Sequence, residues 1–323
     1  MLLFLLSIVV FSIPSVQTRL GTYATTKVNK TYGTDIRIEK AGLRFNGDVA
    51  LKNILIKDHH EETLISVAEL NTSIISFAKI AENKLTFGAI DLFGFYFNIK
   101  KYSGENDTNL DIFVDKFDRD NQRTKTSDFL LSSSTVTVHT SNFSYVDENL
   151  NTPLILDLHQ LNLQALDFLI LGKNITASIT ALNFKDSRGA TLKNLQTNFS
   201  YSLTQMKFDE LKIKSKNSLI VGTLQFDYNR ADFEDFSNKV KVSGFFKNSN
   251  LDLEELNVFY NEFGSFQKAV LNTAFSGTLN NLFFDTFNLK TSRNTSVNGK
   301  LKFKNLFKKK KSCFTSKTIK NYN

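Results

Sequence analysis

The sequence predicts a mostly β protein: an N-terminal membrane helix followed by an elongated, twisted antiparallel β-groove. Three observations carry this expectation. The chain of 323 residues holds only two prolines. Long helical patterns are absent after residue 33. One strand-like pattern, apolar at offsets 0, 2, 5 and 7, recurs down the rest of the chain.

The first element is the apolar run Leu2 to Val16, LLFLLSIVVFSIPSV. A spanning helix needs about 20 apolar residues, so this run is short. The nearest cations, Arg19, Lys27 and Lys30, follow it, no basic residue precedes it, and no clean small-x-small cleavage site comes after it. We read residues 1–17 as a clipped signal-anchor whose true start lies upstream of Met1, in preference to a cleaved signal peptide or a buried core helix.

Residues 18–33 read as an amphipathic helix, with Leu20, Tyr23, Ala24, Val28 and Tyr32 near helical spacing and Gly33 as its stop. It could lie on a membrane, plug the end of the β-structure, or pack on the first strands.

Residues 34–307 read as the β-groove. The recurring pattern appears as VALKNILI (Val49 to Ile56), LTFGAIDL (Leu85 to Leu92) and LDLHQLNL (Leu156 to Leu163). It returns as MKFDELKI (Met206 to Ile213), LDLEELNV (Leu251 to Val258) and LFFDTFNL (Leu282 to Leu289), with a looser ASITALNF at Ala177 to Phe184. On a helix these offsets scatter around the wheel. On a strand, a β-bulge at the two middle residues sets two residues against one, and all four apolar side chains then share a face. Repeated bulges predict a strongly twisted sheet that closes as a barrel, packs as a sandwich, or curls into a trough.

Charge excludes one partner class. The net +8 comes from the end of the chain: after Asp285 there is no acidic residue, and Lys290 to Lys320 contribute +11, so the remainder carries −3. Without a basic face along the body, nucleic acid is not expected as a partner. The single cysteine, Cys313, leaves the body without disulfides or thiol ligands.

No catalytic constellation is found, and neither enzyme activity nor a cofactor is expected. Asp58, His59, His60, Glu61 and Glu62 form one dense polar cluster, read as a solvated turn because His139 and His159 lie far along the chain. Asp111, Asp115, Asp118 and Asp120 miss the spacing of a calcium loop. No metal site is expected.

Three segments carry a resemblance to a known family: SIPSVQTRLGTYATTKVNKTYGTDIRI, LRFNGDVALKNILIKDHHEETLISVAELNTSI and LTFGAIDLFGFYFNIKKYSGENDTNLDIFV. Over roughly residues 10–120 the chain resembles the N-terminal part of TamB-like proteins of the AsmA-like group, and from there to about 307 it resembles them in pattern only. The resemblance implies a single-pass anchor in a bacterial inner membrane and a periplasmic β-groove of bridge-like lipid-transfer build. It further implies phospholipid as cargo moving toward the outer membrane, and an outer-membrane barrel protein as a partner in protein assembly.

The chain is shorter than full-length members, and no C-terminal TamB domain is present in it. Residues 308–323, beginning with Lys308 to Lys311, lose the strand pattern. We read them as an aberrant basic tail produced by a frameshift in an adenine tract.

The groove candidates are Leu51, Ile54, Ile56, Leu85, Phe87, Ile90, Leu92, Leu156, Leu158, Leu161, Leu163, Phe208, Leu211, Ile213, Leu251, Leu253, Leu256 and Val258. Acyl chains would slide along them while head groups stay in water, driven by apolar burial of about 25 cal/mol per Å². The alternatives are a scaffold that offers a strand edge to a barrel partner and an exported sandwich whose apolar faces pack together.

Overall fold

A computed structural model describes residues 14–43, 48–74, 84–121, 130–258, 267–305 and 313–316. The apolar run ahead of Pro14 lies outside them, and among the described residues no helix is long and apolar enough to cross a membrane. The chain divides into two compact units, residues 1–172 with 184–187, and residues 173–183 with 188–323.

The first unit opens with helix α1 (Pro14–Tyr32), and Gly33 ends it with φ +65°. Strands β1 (Asp35–Leu43), β2 (Asp48–Lys57), β3 (Thr63–Ile74) and β4 (Lys84–Lys101) pair antiparallel in chain order. Helix α2 (Asn109–Asn121) then carries the chain over to β5 (Leu130–Asp147), and β6 (Leu154–Leu171) returns antiparallel.

Strand β5 runs parallel to β4. That departs from the all-antiparallel expectation, and α2 is the reason: parallel neighbours need a long crossover, usually helical. Its start carries a signal, Thr108 and Asp111 in capping-box spacing. Asp111 Oδ2 accepts from Thr108 N at 3.1 Å and from Thr108 Oγ1 at 2.7 Å, and Asp111 N donates to Thr108 Oγ1 at 3.2 Å.

Of the apolar positions expected on α1, Val28 and Tyr32 are half-buried, and the side chains of Leu20 and Ala24 lie outside the described residues. Tyr23 is 70% exposed. Polar side chains of the helix take up backbone groups of edge strand β1. Asn29 Oδ1 accepts from Ile36 N at 2.9 Å while its Nδ2 donates to Ile36 O at 2.8 Å. Gln17 does the same to Leu43, and Thr18 Oγ1 bridges Ala41 N and O. A helix thus finishes an edge that would otherwise be open.

In the second unit, β7 (Asn174–Asp186), β9 (Asn194–Tyr201), β10 (Gln205–Lys214), β11 (Leu219–Asp227), β12 (Lys241–Asp252), β13 (Lys268–Thr278), β14 (Asn281–Thr291) and β15 (Ser296–Lys304) pair antiparallel in chain order. A two-residue β8 (Thr191–Leu192) pairs with β7, and the short helix α3 (Phe236–Lys239) precedes β12. Within the basic tail, Cys313–Ser316 forms β16 against Leu301 to Lys304 of β15.

The recurring pattern is a bulge in most copies. Gln160 and Glu210, the fifth residues of their copies, have φ of 52° and 51° and sit at register shifts. In LFFDTFNL the register shifts between Phe284 and Phe287, and in LTFGAIDL Gly88 and Ala89 of β4 fall at a shift between Thr72 and Ile74 of β3. Asn53 is also left-handed (φ 53°), but Lys40↔Lys52 and Ile38↔Ile54 keep one register across it. ASITALNF has no left-handed residue.

LDLEELNV is a correction. Strand β12 ends at Asp252, and Leu253–Val258 is a 3-10 helix, so Leu253, Leu256 and Val258 are not on a strand. The polar residues between decide this. Asp252 Oδ1 accepts from Glu254 N at 3.1 Å, turning the chain, and Glu255 reaches the β10–β11 turn. There it accepts from Ser215 Oγ and Ser218 Oγ, both at 2.5 Å, and from Asn217 N at 2.7 Å.

Burial alone would raise the Glu255 carboxyl, but these donors outweigh it and hold the group below its usual range. Its contribution is therefore present above the unfolded value of about 4.3 and lost as pH falls through the lower folded value. Glu255→Gln is expected to cost about 1–2 kcal/mol at pH 7, and the gap to the parent should narrow as pH falls below the ordinary carboxylate range. Urea midpoints at several pH values measure it; a pH-independent gap would contradict the assignment.

Candidate functional site

Cross-strand register collects the candidate residues into apolar rows. In the first unit, Ala41, Leu51, Leu70, Leu92, Val138 and Leu163 are consecutive partners across β1 to β6. A second row runs Ile36, Ile56, Ile65, Phe97, Phe143 and Leu158. Directly opposed residues share a face. Between the rows lies a line of left-handed backbone at Asn53, Gly94, Thr140 and Gln160.

The second unit repeats the arrangement. Tyr201, Met206, Phe226 and Val242 are consecutive partners, as are Phe199, Phe208 and Leu224, then Phe275, Phe284 and Leu301. Ring centroids of Phe246, Phe275, Phe284 and Phe303 follow one another at 5.6, 5.4 and 5.3 Å. Phe284 and Phe287 sit at offsets 2 and 5 of one copy, and their rings meet at 5.6 Å. They face the same way because the bulge restores the alternation. Along β14 the apolar Leu282, Phe284, Phe287 and Leu289 are the shielded positions, and Asp285 and Thr286 are both exposed between them.

Each bulge, like the left-handed backbone at Gly94, frees backbone groups, and buried hydroxyls from a neighbouring strand satisfy several of them. Phe95 N donates to Ser141 Oγ at 3.1 Å, and Val221 N to Ser249 Oγ at 3.0 Å. Thr197 Oγ1 donates to Asp209 O at 2.7 Å, and Thr273 Oγ1 to Thr286 O at 2.8 Å. All four hydroxyl residues are buried. Sequence reading missed them because a Ser or Thr in a strand looks like any other small polar residue.

The apolar rows are not sealed. Of the twelve side chains in the first unit's two rows only Val138 is fully buried, and the other eleven are half-buried. Paired sandwich faces would bury them. Among the candidates, Leu211 and Leu253 are buried, and Leu51, Ile54, Ile56, Leu85, Phe87, Ile90, Leu92, Leu156, Leu158, Leu161, Leu163, Phe208, Ile213 and Leu251 are half-buried. The side chains of Leu256 and Val258 lie outside the described residues. A depression of about 650 Å³ walled by Gln17, Asp48, Asn71 and Asp91 includes none of the candidates.

At one end of the first unit, KDHHEETLI is an ordered polar cap. Asp58 is buried, and its Oδ2 accepts from Tyr102 OH at 2.7 Å and Asn109 Nδ2 at 3.0 Å. Its Oδ1 accepts from His60 N at 2.9 Å and Glu62 N at 3.0 Å. Burial opposes the charge, yet these four donors keep Asp58 below the usual carboxylate range, and burial beside Asp58 pushes the Tyr102 hydroxyl up. The solvated-turn reading missed Glu105, which sequence distance hides: its carboxylate meets His59 Nε2 at 3.0 Å and His60 Nε2 at 2.8 Å.

Compared with known families and curated proteins, the chain matches no family model and no curated relative.

Proposed function

We propose that this protein is a carrier for phospholipid acyl chains, tethered to a bacterial inner membrane by its N-terminal apolar run, with the β-rich body in the periplasm. The observation that supports it is the pair of apolar rows that cross six strands of the first unit and stay half-exposed. An acyl chain laid along them removes apolar surface from water at about 25 cal/mol per Å². On the opposite side the row Lys40, Lys52, Glu69, Phe93 and His139 is mostly polar. The resemblance to TamB-like proteins points the same way, toward passive transfer along a groove in outer-membrane biogenesis.

Native mass spectrometry of lipids carried by the full chain, expressed in the periplasm and purified without detergent, tests the reading. Stoichiometric phospholipid is expected, and Leu158→Asp with Leu161→Asp should remove it while circular dichroism stays β-rich. A folded parent that carries no lipid would sink the proposal.

A second reading is a scaffold that adds a partner's strand, and one observation favours it. Among the described residues, β16 covers only Leu301 to Lys304, which leaves Ser296 to Lys300 of β15 without an outer partner strand. Co-purification with an outer-membrane barrel protein in the absence of lipid would favour this reading instead.

A further inference from the structure

We propose that His59, His60 and Glu105 form a binding site for one divalent transition-metal ion, with zinc as its probe. One ligand atom from each of the three lies within 4.8 Å of the others. Both histidines aim Nε2 at one carboxylate, His59 at Oε2 and His60 at Oε1. An ion placed between them would replace two N–H···O contacts with two imidazole bonds and one carboxylate bond. Two histidines and one carboxylate make a ligand set that zinc accepts, leaving a fourth position for water. With no thiolate present, borderline imidazole-binding ions are favoured over softer ones.

The cap holds the ligands in place before any ion arrives. Asp58 binds the backbone N–H of His60 and of Glu62, and Glu61 takes φ 62°, which fixes the tight turn that presents two adjacent rings to one side. Tyr102 backs both rings, 3.8 Å from His60 and 5.5 Å from His59 between centroids. Its hydroxyl is anchored on Asp58. Glu105 follows in the same loop as Tyr102, and Glu105 N donates to Tyr102 O at 3.1 Å. His59 Nδ1 is buried and makes no hydrogen bond, so that ring is held through Nε2 and its packing. The nearby cation Lys100 is engaged by Glu148 at 2.9 Å. An ion here would tie the β2–β3 turn to the loop before α2.

The test uses the full chain, stripped of metal with a chelator and titrated with zinc chloride by calorimetry at neutral pH. One equivalent should bind and raise the melting temperature. Glu105→Gln should weaken binding at least about tenfold, and His59→Ala with His60→Ala should abolish it. His139→Ala with His159→Ala should leave it intact. A second readout needs no variant: zinc should shield His59 and His60 from diethyl pyrocarbonate, mapped by mass spectrometry, while His139 and His159 stay reactive. Binding that persists in the double variant, absence of binding to the parent, or equal labelling of the histidines with and without zinc would each overturn the assignment.

Discussion

Asp58→Ala is expected to destabilise the first unit by about 4 kcal/mol, through four stranded donors at about 1 kcal/mol or more each. The substitution removes the acceptor for Tyr102 OH, Asn109 Nδ2, His60 N and Glu62 N together. Asn109 is fully buried and also receives Lys100 N on its Oδ1 at 2.8 Å, so it cannot turn to water without losing that bond. The loss should travel from the β2–β3 turn into the start of α2. A cycle with Tyr102→Phe separates direct from shared cost: that variant alone should lose about 1–1.5 kcal/mol, and the double variant less than the sum. Urea denaturation followed by circular dichroism reads all three. A single-variant loss under about 1 kcal/mol for Asp58→Ala would show that water satisfies these donors.

Gly222→Ala is expected to cost about 3 kcal/mol, at the upper end for overpacking. Gly222 lies in β11 where the register against β12 shifts, next to the Val221 N–H that donates to Ser249. A Cβ there would stand 1.9 Å from Phe245 O and 2.9 Å from Phe245 C. Those are backbone atoms of a paired strand, so relief requires the ladder itself to part. Gly42→Ala is the matched control, since its nearest neighbour would be Ala50 O at 3.7 Å. That change should be neutral or stabilising by up to about 1 kcal/mol. Equal stability of the two variants would mean that the bulged ladder relaxes freely.

The strand pattern could be read from sequence because a bulge leaves a local trace: two polar residues where one is due, as at Asp285 and Thr286. The same eight-residue pattern misled at LDLEELNV, where Asp252 and Glu255 find partners that no window of eight residues contains. Helix α2 was legible and was missed: Leu110, Phe113, Val114 and Phe117 stand at helical spacing and Thr108 with Asp111 carried a capping signal, but the aspartates were weighed only as calcium ligands. The apolar rows follow from alternation plus register, and only alternation is written in the chain. The meeting of Glu105 with His59 and His60 depends on how two loops end on one side of a sheet, a non-local outcome.

The polar attachment of α1 to β1 bears on how this protein can be handled. Gln17, Thr18 and Asn29 occupy the N–H and C=O groups of Leu43, Ala41 and Ile36, the groups through which a stray strand would zip on. The helix acts as a stopper on a polymerisable end, made from side chains instead of a further strand. A fragment that starts after Gly33 would present that end bare, and its aggregation would report on the missing stopper and not on the sheet. Any fragment chosen for crystallisation or lipid loading should therefore begin at or before Pro14.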